Sequence, residues 1–409
     1  MKNNLALIII VLSWVATPAT TQARPHAVAS GLAAAADSAL TAGSNPAGMT
    51  RFDAPSYQAE IFGFFSDSRW KEALSNSGQQ RSTDSSSETV IPFAAMVRPI
   101  NDKFVFGFTI LGAGFSDDLG DWPGKYFMES YDALNISAFP SLAYRVNEKL
   151  SIAGSLSLTY ASFEQERVVS NLLDPGTSEG SARLETDGLD VGFGLSMLYE
   201  VNERTRWGLA YHSEMDPTLD GEVSYSGLGP NTTAVLDKGG FVGAKIDVES
   251  RTPESLLVGL YHEFNNGHAI TVDLAWSHFS RFKLSELYFD GEGLANNEAA
   301  YEDIVALSAG YSWALSNRWS MSVAALYVDD MVENKQRTMT LRLDSLWSVG
   351  AAAEWQWTEK RAIQIGLSYI SLGDAPVTTP EIPGLGSLSG EYTSRELVFL
   401  RVGMSVGAL

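Results

Sequence analysis

Apolar residues alternate with small or polar ones over segment after segment of this chain. In Ser151–Tyr160, Ile152, Leu156, Leu158 and Tyr160 share one face, while Ser151, Ala153, Ser155, Ser157 and Thr159 share the other. Arg318–Tyr327 sets Trp319, Met321, Val323, Ala325 and Tyr327 against Arg318, Ser320, Ser322 and Ala324. Ala269–Ser277 sets Ile270, Val272, Leu274 and Trp276 against Thr271, Asp273 and Ser277, and Ser348–Trp357 and Ala362–Tyr369 repeat the pattern. A period of two marks strands with one apolar face. The segments run about 9–12 residues, close to what a tilted strand needs to cross a bilayer.

Six short turns of similar composition divide these segments: 100–103, 147–149, 202–204, 265–267, 316–318 and 358–360. Between successive turns lie two alternating segments and one long Gly/Ser/Asp-rich loop. This wiring predicts an all-β fold, a 14-stranded antiparallel transmembrane β-barrel with both chain ends on the short-turn side. The expected strands are 56–65, 88–99, 103–113, 134–146, 149–165, 187–201, 205–215, 252–264, 268–279, 302–314, 318–329, 346–357, 361–371 and 394–408. The segments between them that are not short turns are expected to be long loops, 66–87 and 114–133 among them. The Ser-rich run Ser82–Ser87 reads as a loop tip. In loop 216–251, Gly239–Gly243 and Lys245–Val248 read as strand extensions above the membrane. Closure is required, because an open edge in lipid leaves backbone groups unpaired.

The first residues do not alternate. Lys2, the apolar stretch Leu5–Val15 and the small residues Thr21-Gln22-Ala23 read as an export signal, 1–23, cleaved near Ala23. Residues 24–55 are Ala-rich around Val28–Ser44 and end in Asn45-Pro46-Ala47-Gly48-Met49, which predicts short helical turns and then a fixed turn. A compact segment of small residues fits a plug, or hatch, inside the barrel of residues 56–409.

Composition narrows the function. There is no cysteine, so Cys-based zinc sites and thiol nucleophiles are excluded. The net charge of −21 argues against nucleic acid. Much of that charge falls in expected loops, as at Asp117, Asp118, Asp121, Glu129 and Asp132. The five histidines, His26, His212, His262, His268 and His278, make no metal-ligand spacing. No cofactor, metal or catalytic residue is expected. A general porin for polar solutes, and an adhesin or structural barrel, remain as alternatives to a hydrophobic-solute channel. Arg145 and Arg206 lie near the short-turn side and read as charges at the membrane boundary.

Several blocks together resemble the outer-membrane long-chain fatty-acid and hydrophobic-compound transporter family of FadL/TodX type. They are Ala36-Asp37-Ser38 with Ser44–Met49, Asp121–Tyr126 with Glu129-Ser130 and Pro140–Asn147, Gly192–Glu200, Arg206–Glu214, and Trp276–Phe282. The resemblance implies passive uptake of long-chain fatty acids or hydrocarbons. Outer loops would catch the substrate, a pocket near the hatch would hold it, and a gap at a kinked third strand would release it sideways into the bilayer. Such a route avoids exposing the cargo to water again, which costs roughly 0.8 kcal/mol per CH₂. On this resemblance Asn45, Pro46 and Ala47 would gate the hatch, although the residues alone also fit a plain structural turn. Gly112 and Gly114 would form the lateral portal, although strand glycines alone also fit close packing. Phe115, Trp122, Tyr126, Phe127 and Met128 would form an outer uptake groove or pack the loop on itself. Leu111–Phe115 stands where the family commonly has a bulkier turn, and the chain ends Val406-Gly407-Ala408-Leu409 without a terminal aromatic. Expected partners are the hydrophobic cargo, outer-membrane lipid and lipopolysaccharide, and the barrel-assembly machinery, with the protein a monomer.

Overall fold

The computed structural model describes residues 26–27, 29–73, 81–289, 292–293, 301–332, 337, 344–378 and 388–407, with backbone alone at 115–117, 247–250, 283–289, 292–293 and 394. The expected export signal lies outside the described residues. Fourteen antiparallel strands close into a barrel. They are β1 (Ser56–Glu72), β2 (Ser82–Pro99), β3 (Phe104–Asp118), β4 (Ser130–Arg145), β5 (Leu150–Val169), β6 (Gly180–Asn202), β7 (Thr205–His212), β8 (Ser255–Glu263), β9 (Ala269–Ser277), β10 (Ile304–Ala314), β11 (Trp319–Val328), β12 (Leu346–Thr358), β13 (Arg361–Ser371) and β14 (Ser389–Val406). Strand pieces Thr218–Ser226, Lys245–Arg251, Lys283–Phe289 and Ala375–Thr378 prolong β7, β8, β9 and β13 outward. The seam between β1 and β14 runs from Tyr57↔Val406 to Glu72↔Gly390.

The alternation sorts faces as the sequence predicts. Ile152, Leu156, Leu158, Val323, Tyr327, Val272 and Leu274 are exposed on the outside, while Ser151, Ser157, Ser320, Ser322, Thr271 and Asp273 are buried inside. An apolar outer band of this extent fits a lipid surface. Aromatic rings collect at its short-turn margin, where Trp319 stacks on Trp355 at 6.1 Å and Phe104 lies 5.0 Å from Tyr144.

The recurrence of Asn, Ser and Thr in the six turns has one cause. Asn101, Asn147 and Asn202 each accept, through Oδ1, the backbone N–H groups two and three residues on, at 2.9–3.0 Å. Ser316 Oγ does the same for Arg318 and Trp319, and Asn266 and Thr358 each serve one such N–H. The side chain stands in for a backbone carbonyl and closes the turn.

The loop side departs from expectation. Strands overrun their expected ends: β1 continues to Glu72, β3 to Asp118 and β5 to Val169, while β6 starts at Gly180 and β14 at Ser389. Ser82–Ser87 is not a loop tip but the start of β2, paired with Ser66–Lys71 of β1. Lys245–Val248 does extend a strand, but Gly239–Gly243 is a turn after the helix Pro230–Lys238. Above the membrane both faces of a strand are wet, so the apolar alternation that reveals strands disappears there.

Candidate functional site

The hatch fills the lumen on the short-turn side. Its residues from Ala29 to Phe52 are almost all buried, with a helical turn at Thr41–Ser44 and a 3₁₀ segment at Pro46–Arg51. Asn45 is fully buried at the junction. Its Oδ1 accepts the Ala47 N–H at 3.2 Å, and its Nδ2 donates to the Ala33 carbonyl at 2.5 Å and to the Met197 carbonyl of β6 at 3.1 Å. Pro46 occupies the first helical position, where its missing N–H costs nothing. Ala47 N–H donates to Ser196 Oγ at 3.0 Å. The Asn45–Ala47 turn thus joins two hatch segments to each other and to the wall.

Other strands hold the hatch as well. Asp273 of β9 receives the backbone N–H groups of Gly31, Leu32 and Ala33. Gly31 has φ of 80°, which turns those donors toward one carboxylate. Thr50 and Ser151 hydroxyls are 2.6 Å apart, and Arg51 pairs with Glu200 at 2.6 Å. Arg145 and Arg206 are not boundary charges. Arg145 donates to the Thr50 carbonyl. Arg206 is buried, donates to the carbonyls of Ala34 and Ala35, and lies 3.7 Å over the ring of Tyr261. At four further contacts the hatch meets a wall glycine: a Cβ on Gly107 would strike Met49 and Ala42, on Gly208 the Ala33 backbone, on Gly259 Asp273 and Ala33, and on Gly310 Ser30.

Above the hatch the lumen changes character. Along β1 the inward side chains run Gln58, Glu60, Phe62, Phe64. Read from the outer end, β10 runs Ile304, Ala306, Ser308, Gly310 and Ser312, and β13 runs Ile370, Ser368, Gly366 and Gln364. The outer half is therefore apolar and the inner half polar, a depth gradient that face assignment alone does not give. Phe62, Phe64, Ile91, Phe93, Leu326, Val328, Leu346, Ile370 and Leu397 form one buried cluster with the hatch residues Met49 and Phe52. Phe399 packs on it, 5.5 Å from Phe62 and 4.8 Å from Phe64. Phe279, Phe282 and Tyr301 close its outer end with ring contacts of 4.7–5.6 Å.

Gly112 and Gly114 sit on β3 where it parts from β2. The β3–β4 ladder is continuous from Phe104↔Tyr144 to Asp118↔Ser130. The β2–β3 ladder starts at Pro99↔Val105 and ends at Phe93↔Leu111. Beyond it β2 presents Pro92, which has no N–H to offer. A Cβ at either glycine meets nothing closer than 3.5 Å, so close packing does not demand glycine there. Leu111 and Ala113 pack on the apolar cluster beside this unpaired margin.

The loop after β3 folds onto the barrel rim. Trp122 is buried, donates from Nε1 to the Met128 carbonyl at 2.6 Å and meets Trp70 edge-on at 5.9 Å. Trp70 lies 4.6 Å from Tyr392. Met128 is buried in the lumen cluster, while Tyr126 and Phe127 keep part of their surface exposed. Phe115 lies in β3 with its side chain outside the described residues. Lys125 clamps the loop, pairing with Asp121 at 2.9 Å and with Glu179 at 2.6 Å. The Lys125 ammonium and the Tyr126 hydroxyl hold the Glu179 carboxyl below its usual range, and Lys125 does the same to Asp121. A depressed carboxyl contributes stability above its unfolded pKa of ~4.3 and loses it as pH falls through the folded value. Acidification below ~4.3 is expected to release the clamp. The wild type minus Trp122→Phe difference fluorescence should then shift red, and Lys125→Met should show no such step.

A second rim feature joins two outer loops. The Asp174 carboxylate accepts the N–H groups of Asn231 at 3.0 Å and Thr232 at 2.8 Å, fixing the start of the helix Pro230–Lys238. Leu172, Leu173, Val235 and Val242 are exposed around it.

A barrel with an apolar outer band, an internal hatch and an apolar outer lumen defines an outer-membrane channel of the plugged type. Residues 15–401 match the family model described as outer membrane protein transport protein (OMPP1/FadL/TodX), and the chain belongs to that family. The long-chain fatty acid transport protein of Escherichia coli O6:H1 (strain CFT073) is 26% identical over 376 residues, 83% of each chain. The fold is shared with a Pseudomonas aeruginosa FadL homologue, at a TM-score of 0.81, 19% identity and coverage of 90% of this chain and 94% of that one. It is shared also with the Pseudomonas putida toluene transporter TodX, at a TM-score of 0.62, 16% identity and the same coverage.

Proposed function

We propose that the protein takes up uncharged or amphipathic hydrophobic molecules, long-chain fatty acids or hydrocarbons, across the outer membrane without an energy source. The observation that carries this is the apolar cluster of the outer lumen, which runs from the rim rings of Phe279 and Phe282 down to Met49 and Phe52 of the hatch. A water-filled pore offers such molecules no favourable contact, whereas this column replaces water along their path. Cargo collects at the exposed apolar residues of the rim, moves down the column as the Asn45–Ala47 turn, kept rigid by the Asn45 side chain, shifts as one piece, and leaves between β2 and β3 past Gly112 and Gly114. The protein works as a monomer set in lipid and lipopolysaccharide, inserted by the barrel-assembly machinery.

The test is uptake of labelled oleate and toluene by a host lacking its own hydrophobic channel. Wild type should transport at least one. Asn45→Ala/Pro46→Ala should assemble normally and transport about tenfold less, since it loses the two Asn45 amide bonds that hold the hatch turn. Absence of uptake by assembled wild type would sink the reading, and full uptake by the double variant would remove the hatch turn from it.

A further inference from the structure

Among the described residues, most hatch bonds to the wall fall on β4 through β7 and β9, from Arg145, Ser151, Ser196, Glu200, Arg206 and Asp273. The arc from β12 through β13 and β14 to β1 carries something different. Glu354 pairs across strands with Gln364, Gln364 with Gly403, and Gly403 with Glu60. These positions form one cross-strand row of inward residues. Gly403 has no side chain, and Glu60 leans across it: a Cβ there would lie 2.7 Å from Glu60 Cγ. Gln364 Nε2 donates to Glu354 at 2.6 Å, and Gln58 Nε2 donates to Glu60 at 2.7 Å and to Gln364 at 3.1 Å. Arg401 donates to Glu60 at 2.8 Å and to Gln364 at 2.5 Å, and its other terminal nitrogen reaches the His26 carbonyl of the hatch at 3.2 Å. Gln58, Glu60, Glu354, Gln364 and Arg401 are all buried, and the second oxygen of Glu60 and the amide oxygen of Gln58 have no hydrogen-bond partner among the described residues.

The same row continues past Glu60 as Phe93 of β2 and Leu111 of β3. It turns from charged to apolar at the point where the β2–β3 ladder ends. Directly outward of the polar part lie Phe62, Phe64, Ile370, Leu397 and Phe399, the wall of the apolar column. Cargo descending that column meets a hydrogen-bonded polar surface ahead and an apolar, unpaired margin to the side.

We infer that the Glu60–Gln364–Glu354 row, with Gln58 beside it and knitted by Arg401, is a polar sill that completes the floor beside the hatch and turns apolar cargo toward the β2–β3 margin. The inference rests on the proposed uptake function and names the residues that set its direction. An alkyl chain or ring passing the sill would separate buried hydrogen-bonded charges and offer them no replacement partner, whereas passing Phe93 and Leu111 breaks no hydrogen bond. Arg401 also ties the sill to the hatch, so the two parts of the floor meet at the His26 carbonyl.

The test combines a blocked portal with an opened floor. Gly112→Phe should abolish most uptake of whichever of oleate or toluene the wild type takes up. Adding Glu60→Leu, Glu354→Leu and Arg401→Met should restore it about tenfold above Gly112→Phe alone, by removing the buried polar barrier. Adding Glu60→Gln and Glu354→Gln, which keeps the row polar, should restore nothing. Assembly is checked by heat-modifiable migration on gels. If the triple change does not assemble, Glu354→Leu alone keeps the Arg401–Glu60 pair and should give partial recovery. Failure of the assembled apolar variants to recover uptake would overturn the sill, as would undiminished uptake by Gly112→Phe, since no diversion would then exist. Absence of uptake by wild type would instead mark failure of the underlying function.

Discussion

Gly208→Leu should force the hatch out of its seat and leave an open channel. A Cβ at this position already overlaps the Ala33 carbonyl and approaches the Asn45 amide, and the obstacle is backbone that has no rotamer to move into. Overpacking of a yielding core costs about 1–3 kcal/mol, and a rigid backbone neighbour puts the cost at the upper end or beyond. The strain falls on the neighbouring bonds of Arg206 to Ala34 and Ala35 and of Asn45 to Ala33 and Met197. The barrel ladders do not depend on the hatch, so the variant should still assemble. In planar bilayers it should show steady ion conductance where wild type stays nearly closed, and its hatch should be cleaved by added protease. Conductance equal to wild type would show that the hatch moves aside without leaving.

Asp273→Ala should loosen the first hatch segment while leaving the Asn45 turn in place. It removes the single carboxylate that serves Gly31, Leu32 and Ala33. Each buried N–H left without an acceptor costs about 1–3 kcal/mol. Hydrogen exchange at these three amides should rise at least about tenfold, because every 1.4 kcal/mol is a factor of ten, while exchange in β9 stays slow. Asp273→Asn retains one acceptor oxygen and should fall between. Equal protection in wild type and Asp273→Ala would mean that burial alone holds the segment.

The membrane-crossing part of the fold was legible because the lipid makes it so. Outside the barrel only apolar side chains are tolerated, so Ile152, Leu156 and Leu158 announce both a strand and its outer face. The turns were legible because Asn101, Asn147 and Asn202 must replace a carbonyl. Above the lipid that pressure ends, and β2 begins unseen in Ser82–Ser87. The site was less legible still. Alternation tells in from out but not depth, so Phe62 of the column and Glu60 of the sill, two residues apart on one face, look alike. Gly107, Gly208, Gly259 and Gly310 resemble ordinary strand glycines until the hatch is seen against them. Arg145 and Arg206 misled because a cation near a turn usually serves the membrane edge, and their carbonyl partners lie far away in the chain.

The overrun of the strands sets how far the protein stands from the cell. β6 has 23 residues. At ~3.3 Å per residue it is roughly 75 Å long, and at a tilt near 40° it rises about 55–60 Å, against an apolar band of ~25 Å. Roughly half of that height therefore projects outward as a stalk beyond the lipid. Its crown carries Leu172, Leu173, Val235 and Val242. A hydrophobic molecule on the proposed route would meet protein well before it met lipid, and it would cross that wet distance inside the stalk.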